Sequence, residues 1–286
     1  MKRGLLMLNF LLFILIVTAL VGLFIRHGYK ENRRLVVETL KLSGKRLPQT
    51  LPHLTIMHLS DLHFSRLRVS QEKIIRAVVE AKPSYIFISG DTIDRTADLK
   101  KVPLVSFLNQ LAAIAPTFVV SGNHETSSGQ YKKWMQLVES SHAELLKNEV
   151  VVVPFDQTHI TISGFLEGHH TLSNEQKEKL KFSSLNLLLA HHPEKFLEHM
   201  EAFAPFPLDA IFSGHAHGGQ IRIPGLGGLL APNQGLLPYY TDGAYQVNER
   251  PETTLFVSRG LGNSRFPFRI NNKPVLLKVT IKGTLK

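Results

Sequence analysis

The stretch Ser213-Gly214-His215-Ala216-His217-Gly218-Gly219-Gln220 places two histidines two residues apart between glycines. Neutral imidazole is a common ligand for divalent transition metals. Glycines on either side let the loop turn sharply and let a ligand approach the backbone. Four other stretches have the same make-up: Ser60-Asp61-Leu62-His63, Ser89-Gly90-Asp91-Thr92-Ile93-Asp94, Ser121-Gly122-Asn123-His124-Glu125 and His191-His192-Pro193. Each has an ordinary reading by itself. Asp61 or Asp91 suits a helix cap or turn, Asn123 a left-handed turn, and His191 a satisfied buried histidine. Taken together, five such stretches call for a shared purpose.

Each stretch follows a short apolar run that reads as a strand: Leu54–Leu59, Tyr85–Ser89, Thr117–Val120, Leu185–Ala190 and Asp209–Phe212. Further strand-like runs are Leu35–Leu42, placed at an edge, Val150–Val153, His159–Ser163, Thr254–Ser258 and Val275–Ile281. Between them, apolar residues at helical spacing predict helices over Gln71–Ala81, Ala97–Ala115, Gly129–Ser140, Asn174–Lys181 and Pro193–Met200. A Ser-Gly and Pro-rich turn is expected at 43–52, and a long Gly- and Pro-rich loop structure over 222–252. Strands alternating with helices define an α/β domain. In such domains ligands bind beyond the carboxyl ends of the strands, where these polar stretches fall.

Charge and composition narrow the partners. Residues 1–50 hold nine Lys and Arg against Glu31 and Glu38, a net +7 of the chain's +10. The remaining +3 is too little for a face that grips long nucleic acid. The absence of cysteine excludes disulfides, thiolate metal sites and a Cys nucleophile. Gly4–Ile25 carries no charge and is mostly Leu, Ile, Val and Phe, long enough as a helix to span about 30 Å of hydrocarbon. Residues 1–30 are read as an uncleaved single-pass anchor in the cell membrane, with a cleavable signal peptide as the competitor. Residues 31–286 form the domain. Arg26, Lys30, Arg33 and Arg34 after the span favour a cytoplasmic domain. Lys2 and Arg3 ahead of an apolar run resemble an export signal, and the extracytoplasmic side is preferred.

Asp61, His63, Asp91, Asn123, His191, His215 and His217 make seven donors, more than one zinc takes. With one bridging carboxylate they suffice for two ions. Mixed Asp, His and Asn ligation suits Mn²⁺, Fe²⁺ or Zn²⁺. Two such ions about 3.5–4 Å apart promote in-line displacement at phosphorus.

The ordered set Asp-x-His, Gly-Asp, Gly-Asn-His-Glu, His and Gly-His-x-His resembles the calcineurin-like metallophosphoesterases. Gly218-Gly219-Gln220, Gly225-Leu226-Gly227 and Arg259-Gly260-Leu261-Gly262-Asn263-Ser264 resemble its membrane-associated branch of YkuE/YaeI type. The resemblance implies a four-layer αββα sandwich. It implies that Asp61, His63 and His217 hold one metal, Asn123, His191 and His215 a second, and that Asp91 bridges them. It implies a catalytic His124 acting as general acid by the leaving group, oriented by Asp94, with a hydroxide supplied between two divalent metals.

For the substrate, Arg66, Arg68 and Arg265 interleave with Phe64, Leu67, Phe266 and Phe268. Arginine suits phosphate and phenylalanine a chain. The expectation is hydrolysis of a membrane- or envelope-linked phosphate ester such as a phospholipid or a lipid-linked pyrophosphate. The alternatives are a nuclease or cyclic-nucleotide phosphodiesterase on the same scaffold, or a non-catalytic membrane-anchored scaffold. Nothing in the sequence implies a protein partner.

Overall fold

The computed structural model describes residues 2–42, 53–155, 158–247, 250–264 and 266–282. The turn expected at 43–52 lies outside them. The chain begins with α1 (Lys2–Glu31) and β1 (Val36–Leu42), then β2 (Leu54–Leu59), α2 (Gln71–Ala81), β3 (Tyr85–Ser89), α3 (Leu104–Ala112) and β4 (Thr117–Val120). Next come α4 (Asn123–Thr126), α5 (Tyr131–Glu139), β5 (Glu144–Leu145), β6 (Glu149–Phe155), β7 (Thr158–Gly164), α6 (Asn174–Glu178), β8 (Asn186–Leu189), α7 (Phe196–Phe203) and β9 (Ala210–Ser213). Two small hairpins follow, β10 (Arg222–Ile223) with β11 (Gly227–Gly228), and β12 (Leu230–Ala231) with β13 (Gly235–Leu236). The chain closes with β14 (Gly243–Val247), β15 (Arg250–Val257) and β16 (Val275–Ile281).

Two mixed sheets are formed, ordered β1-β16-β2-β3-β4-β5 and β14-β15-β9-β8-β7-β6. They pack face to face. Ile56, Phe87, Phe118, Leu187, Phe212 and Phe256 meet in the shared core between them. The residues one position on point the other way, as the period of a strand requires. Met57, Ile86, Ile88 and Val119 pack under α2, α3 and α5 through Val78, Phe107, Leu108 and Trp134. On the far side Leu188, Ile211 and Leu255 pack under α7 through Met200 and Phe203. The result is four layers, αββα. With both faces covered, the central strands β2, β3, β4, β8 and β9 are buried at every position, which is why they read as unbroken apolar runs.

Three expectations shift. The helix predicted over 97–115 is α3 alone, because Pro103 stands at its N-cap and restricts the residue before it. The helix expected from Pro193 opens as a single 3₁₀ turn and runs on as α7 to Phe203. The long loop expected over 222–252 contains the two hairpins and β14; Gly225, Gly227, Gly235 and Gly243 have positive φ there, so the glycines serve turns. β1 lies at the sheet edge, paired in parallel with β16.

From Arg3 to Glu31, α1 is long and apolar enough to cross a membrane, and its most apolar stretch is not buried against the protein. Its end is docked. Asn32 Nδ2 donates to the Pro267 carbonyl at 2.9 Å, and Asn32 Oδ1 accepts from Arg269 N at 3.0 Å. Glu31 Oε2 accepts from Asn272 N at 3.1 Å. Phe24 meets Phe268 edge to face.

Candidate active site

The polar stretches after β2, β3, β4, β8 and β9 meet at one edge of the double sheet. Hydrogen bonds between loops extend the ladders past the strands: Asp61 N to Gly90 O at 3.1 Å, His63 N to Asp91 O at 3.0 Å, and Gly214 N to His191 O at 3.0 Å. The turns are tight. Asp61, His63, Asp91, His215 and His217 all have left-handed backbone, with φ of 49°, 40°, 52°, 66° and 47°. That region is unusual for a side-chain-bearing residue, and such positions cluster at functional sites. Loops also approach closely: a Cβ on Gly214 would collide with Ser60 Oγ and Asp61 Oδ2, and one on Gly122 with Asp91 Oδ1.

Asp61, His63, Asp91 and His217 bring ligand atoms within 4.8 Å of one another, and so do Asp91, His191 and His215. Asp91 belongs to both groups. Its Oδ2 lies 3.5 Å from His63 Nε2 and 3.3 Å from His191 Nε2. His217 Nε2 lies 3.4 Å from Asp61 Oδ1 and 3.2 Å from His63 Nε2. Asn123 Oδ1 lies 3.2 Å from His191 Nε2 and 3.0 Å from His215 Nδ1. The structure thus places all of the residues singled out as donors in one cluster, all of them buried except the half-buried Asn123. The donor set fits divalent metal: nitrogen and oxygen atoms converge at contact distance, and the Nε2 atoms of His63 and His217 face each other.

The electrostatics point the same way. Burial lowers His63 to about 4. Burial, with cationic neighbours added, holds His215 and His217 well below the ordinary range. Burial, with Asp91 nearby, pushes Asp61 up to about 6 against the opposing pull of His191. Burial also works to raise Asp91, but His191, His63 and His124 outweigh it and hold Asp91 well below the usual carboxylate range. His191 is raised well above its ordinary value because Asp91 overcomes its burial. A buried carboxylate kept ionised by surrounding imidazoles is a place where a cation substitutes for a proton.

His124 lies beside this cluster. Its Nδ1 is 3.3 Å from Asp94 Oδ2 and accepts from Arg95 N at 3.1 Å. Asp94 is itself held below the carboxylate range: burial opposes, while hydrogen bonds from Thr96 and the Arg66 charge prevail. Arg66 Nε sits 3.1 Å from Asp94 Oδ2, and its Nη1 donates to Ser264 O at 2.7 Å. Arg66 thus faces Asp94 and is not among the residues around the cavity. Arg68 is exposed and also not among them. Arg265 lies outside the described residues.

A cavity of about 670 Å³ opens over the cluster, floored by Asp91, Asn123, His124, His215 and His217 and walled by Ile221, Leu229, Leu230 and Phe266. Sequence reasoning passed over three residues here. Arg95 lines the cavity, with Nη2 3.4 Å from His124 Nε2. Glu125 accepts from Asp91 N at 3.0 Å, Gly122 N at 2.8 Å, Thr92 Oγ1 at 2.8 Å and Ile93 N at 3.1 Å, clamping two ligand loops together. Asn233, at the turn of the β12–β13 hairpin, places Nδ2 3.2 Å from His215 Nε2. Glu125 was visible as a buried-type acid directly after Asn-His; Asn233 carried no local signal. His192 is held between Glu167 at 3.0 Å and Glu194 at 2.9 Å.

Fold and site together define a metal-dependent hydrolase of phosphate esters. The calcineurin-like phosphoesterase family matches residues 54–219, and the chain belongs to that family. It is 28% identical over 217 residues to the metallophosphoesterase YkuE of Bacillus subtilis, covering 74% of this chain and 72% of that protein. It is 30% identical over 200 residues to phosphodiesterase YaeI of Escherichia coli, covering 68% and 69%. A transmembrane protein with metallophosphoesterase domain from Bos taurus is 27% identical over 264 residues, covering 86% of this chain and 57% of that protein. Membership sets the non-catalytic scaffold reading aside.

Proposed function

We propose that the chain is a membrane-anchored phosphodiesterase or phosphomonoesterase. It uses two divalent ions, drawn from Mn²⁺, Fe²⁺ and Zn²⁺, on an amphiphilic phosphate such as a phospholipid or lipid-linked pyrophosphate. Residues 1–30 are the anchor and 31–286 the catalytic domain. Asp61, His63 and His217 would hold one ion, Asn123, His191 and His215 the other, and Asp91 would be shared. The observation that carries this reading is the place of Asp91 Oδ2, 3.5 Å from His63 on one side and 3.3 Å from His191 on the other. Bound there, such ions supply Lewis acidity towards the phosphoryl oxygens and lower the pKa of a water.

The side chains do the rest. His124 lines the cavity and would give a proton to the departing oxygen, while the Arg95 backbone N–H donated to its Nδ1, with Asp94 Oδ2 3.3 Å away, orients the ring. Arg95 sets a fixed charge beside His124 Nε2, where a phosphate oxygen would meet it. Ile221, Leu229, Leu230 and Phe266 offer an apolar wall to the organic part of the ester. The low net charge of residues 51–286 gives no support to long nucleic acid as the substrate.

The test is a panel of phosphate esters offered to the full-length detergent-solubilised chain with Mn²⁺, Fe²⁺ or Zn²⁺. The panel holds phospholipid analogues, a lipid-linked pyrophosphate, a p-nitrophenyl phosphodiester and single-stranded DNA. Metal-dependent turnover is expected, highest on the lipid members. Preference for DNA would overturn the substrate assignment, and inertness towards every ester would overturn the catalytic one.

A further inference from the structure

The mouth of the cavity stands next to the end of the apolar helix. Phe24 lies within the uncharged run Gly4–Ile25, so a residue that touches it stands at the level where that run ends. Phe268 does so, with ring centroids 6.3 Å apart, and it also meets Tyr29 at 5.7 Å. Phe266 packs on Phe268 at 4.6 Å and lines the cavity. Three rings therefore lead from the helix to the cavity mouth. The backbone makes a second connection: Ile270 borders Gly28 of α1 and pairs with Ile221, the residue that opens the β10–β11 hairpin.

The loops around that mouth are apolar and exposed. Leu226, Leu236 and Tyr239 are 67%, 75% and 73% exposed; Leu230 and Leu237 of the same segment are exposed as well, and so is Phe266 in the cavity wall. Large side chains of this kind in one surface segment mark an interaction surface. Gly219 to Thr241 includes no acidic residue. Arg26, Lys30, Arg33 and Arg34, at the end of α1, are exposed and basic. Apolar tips beside a basic collar match a leaflet rich in anionic headgroups, which attracts such cations.

We propose that the 223–239 hairpins and Phe266 rest in the surface of the same bilayer that α1 enters, so that the cavity opens onto the membrane and not onto bulk water. The occupant of this apolar lip is the headgroup and upper acyl region of an anionic leaflet. Continuity with α1 through Phe268 selects the bilayer over a second copy or a partner protein. The proposal rests on the anchor reading of α1 and deepens the substrate reading. An amphiphilic ester would reach the metal cluster sideways, leaving its chain against Phe266, Leu229 and Leu230.

The absence of cysteine makes the test direct. Full-length variants Leu15→Cys, Leu226→Cys, Leu236→Cys and Phe182→Cys are labelled with an environment-sensitive fluorophore. Each is reconstituted in phosphatidylcholine–phosphatidylglycerol vesicles containing acyl-chain nitroxide lipid. Phe182 is exposed and precedes β8, at the opposite end of its sheet from the site, so it serves as the dry-land control. Quenching at 15, 226 and 236 at least about twofold above that at 182 is the expected result, since interfacial elements bury to about 5–10 Å. Quenching at 15 with 226 and 236 no higher than 182 would overturn the lip while leaving the anchor standing. Loss of quenching at 15 as well would overturn the anchor reading and the lip with it. No outcome depends on turnover, so failure of the substrate reading is seen separately.

Discussion

His63 and His217 aim Nε2 at Nε2 across 3.2 Å, each ring enclosed by protein. Two imidazole lone pairs at that distance repel unless a proton or a cation stands between them. Burial disfavours the charged imidazolium form of both rings. A neutral pair placed so can turn both nitrogens towards a positive ion, and Asp61 and Asp91 bring carboxylate oxygens beside it.

Asp91→Asn removes the one carboxylate that both ligand groups share. Metal content and turnover fall together, and elemental analysis of the purified variant alongside a hydrolysis assay checks it. Treatment of the wild type with chelator should give the same loss, restored by adding back Mn²⁺. A D91N protein that keeps its metal would show that Asp91 is not the shared ligand.

His124→Ala should leave metal content intact, because its Nδ1 accepts from the Arg95 backbone N–H. Loss of a general acid typically costs about 10²–10⁴ in rate. The deficit should be large on an alkyl phosphodiester and small on a p-nitrophenyl ester, whose leaving group needs no proton. Equal deficits on both would assign His124 a positioning task instead.

Glu125→Gln replaces an acceptor-only group by one that turns an amide NH₂ towards backbone N–H donors. Burial, with Asp91 near, already pushes Glu125 up to about 7, so the lost charge matters less than the lost acceptor. Leaving the N–H of Asp91 or Gly122 unpaired costs about 1–3 kcal/mol each. Thermal melts should show the lower stability, and metal titration a weaker affinity, because both ligand loops lose their clamp.

Two buried histidines that are not among the donors predict acid sensitivity. Burial lowers His58 to about 3, and burial, with His170 nearby, lowers His199 to about 3. Their folded values lie below the unfolded value near 6.5, so the unfolded chain binds more protons below that pH. Their stabilising contribution is complete above about pH 6.5 and is lost progressively as pH falls towards about 3. By pH ~5 the two together withdraw about 4 kcal/mol. Urea midpoints measured from pH ~7 to ~5 should fall less steeply in His199→Phe than in wild type.

Much of this molecule was legible in its sequence. The donors sit directly after apolar runs, and parallel strands deliver the loops at their carboxyl ends to one edge; Asp61, Asp91, Asn123, His191 and His215 were found for that reason. Helix ends were harder. Pro103 cut short the expected 97–115 helix, and apolar spacing alone could not see it. Pairing between distant segments left no local mark either, so the parallel contact of β1 with β16 came only with the structure. Arg95 and Asn233 escaped because their roles depend on where neighbouring loops fold back. Of the arginines chosen by proximity in sequence, Arg66 faces Asp94 and Arg68 is exposed, and neither lines the cavity.

The left-handed turns at Asp61, His63, Asp91, His215 and His217 are fixed by hydrogen bonds from one loop to the next, with protein atoms at both ends. Contacts within the protein thus hold the shape of this edge of the fold. The expectation is that bound ions add reactivity and not architecture. Stripped protein should therefore keep its cooperative melt and recover on reloading without a refolding lag, unlike small zinc domains that collapse when emptied.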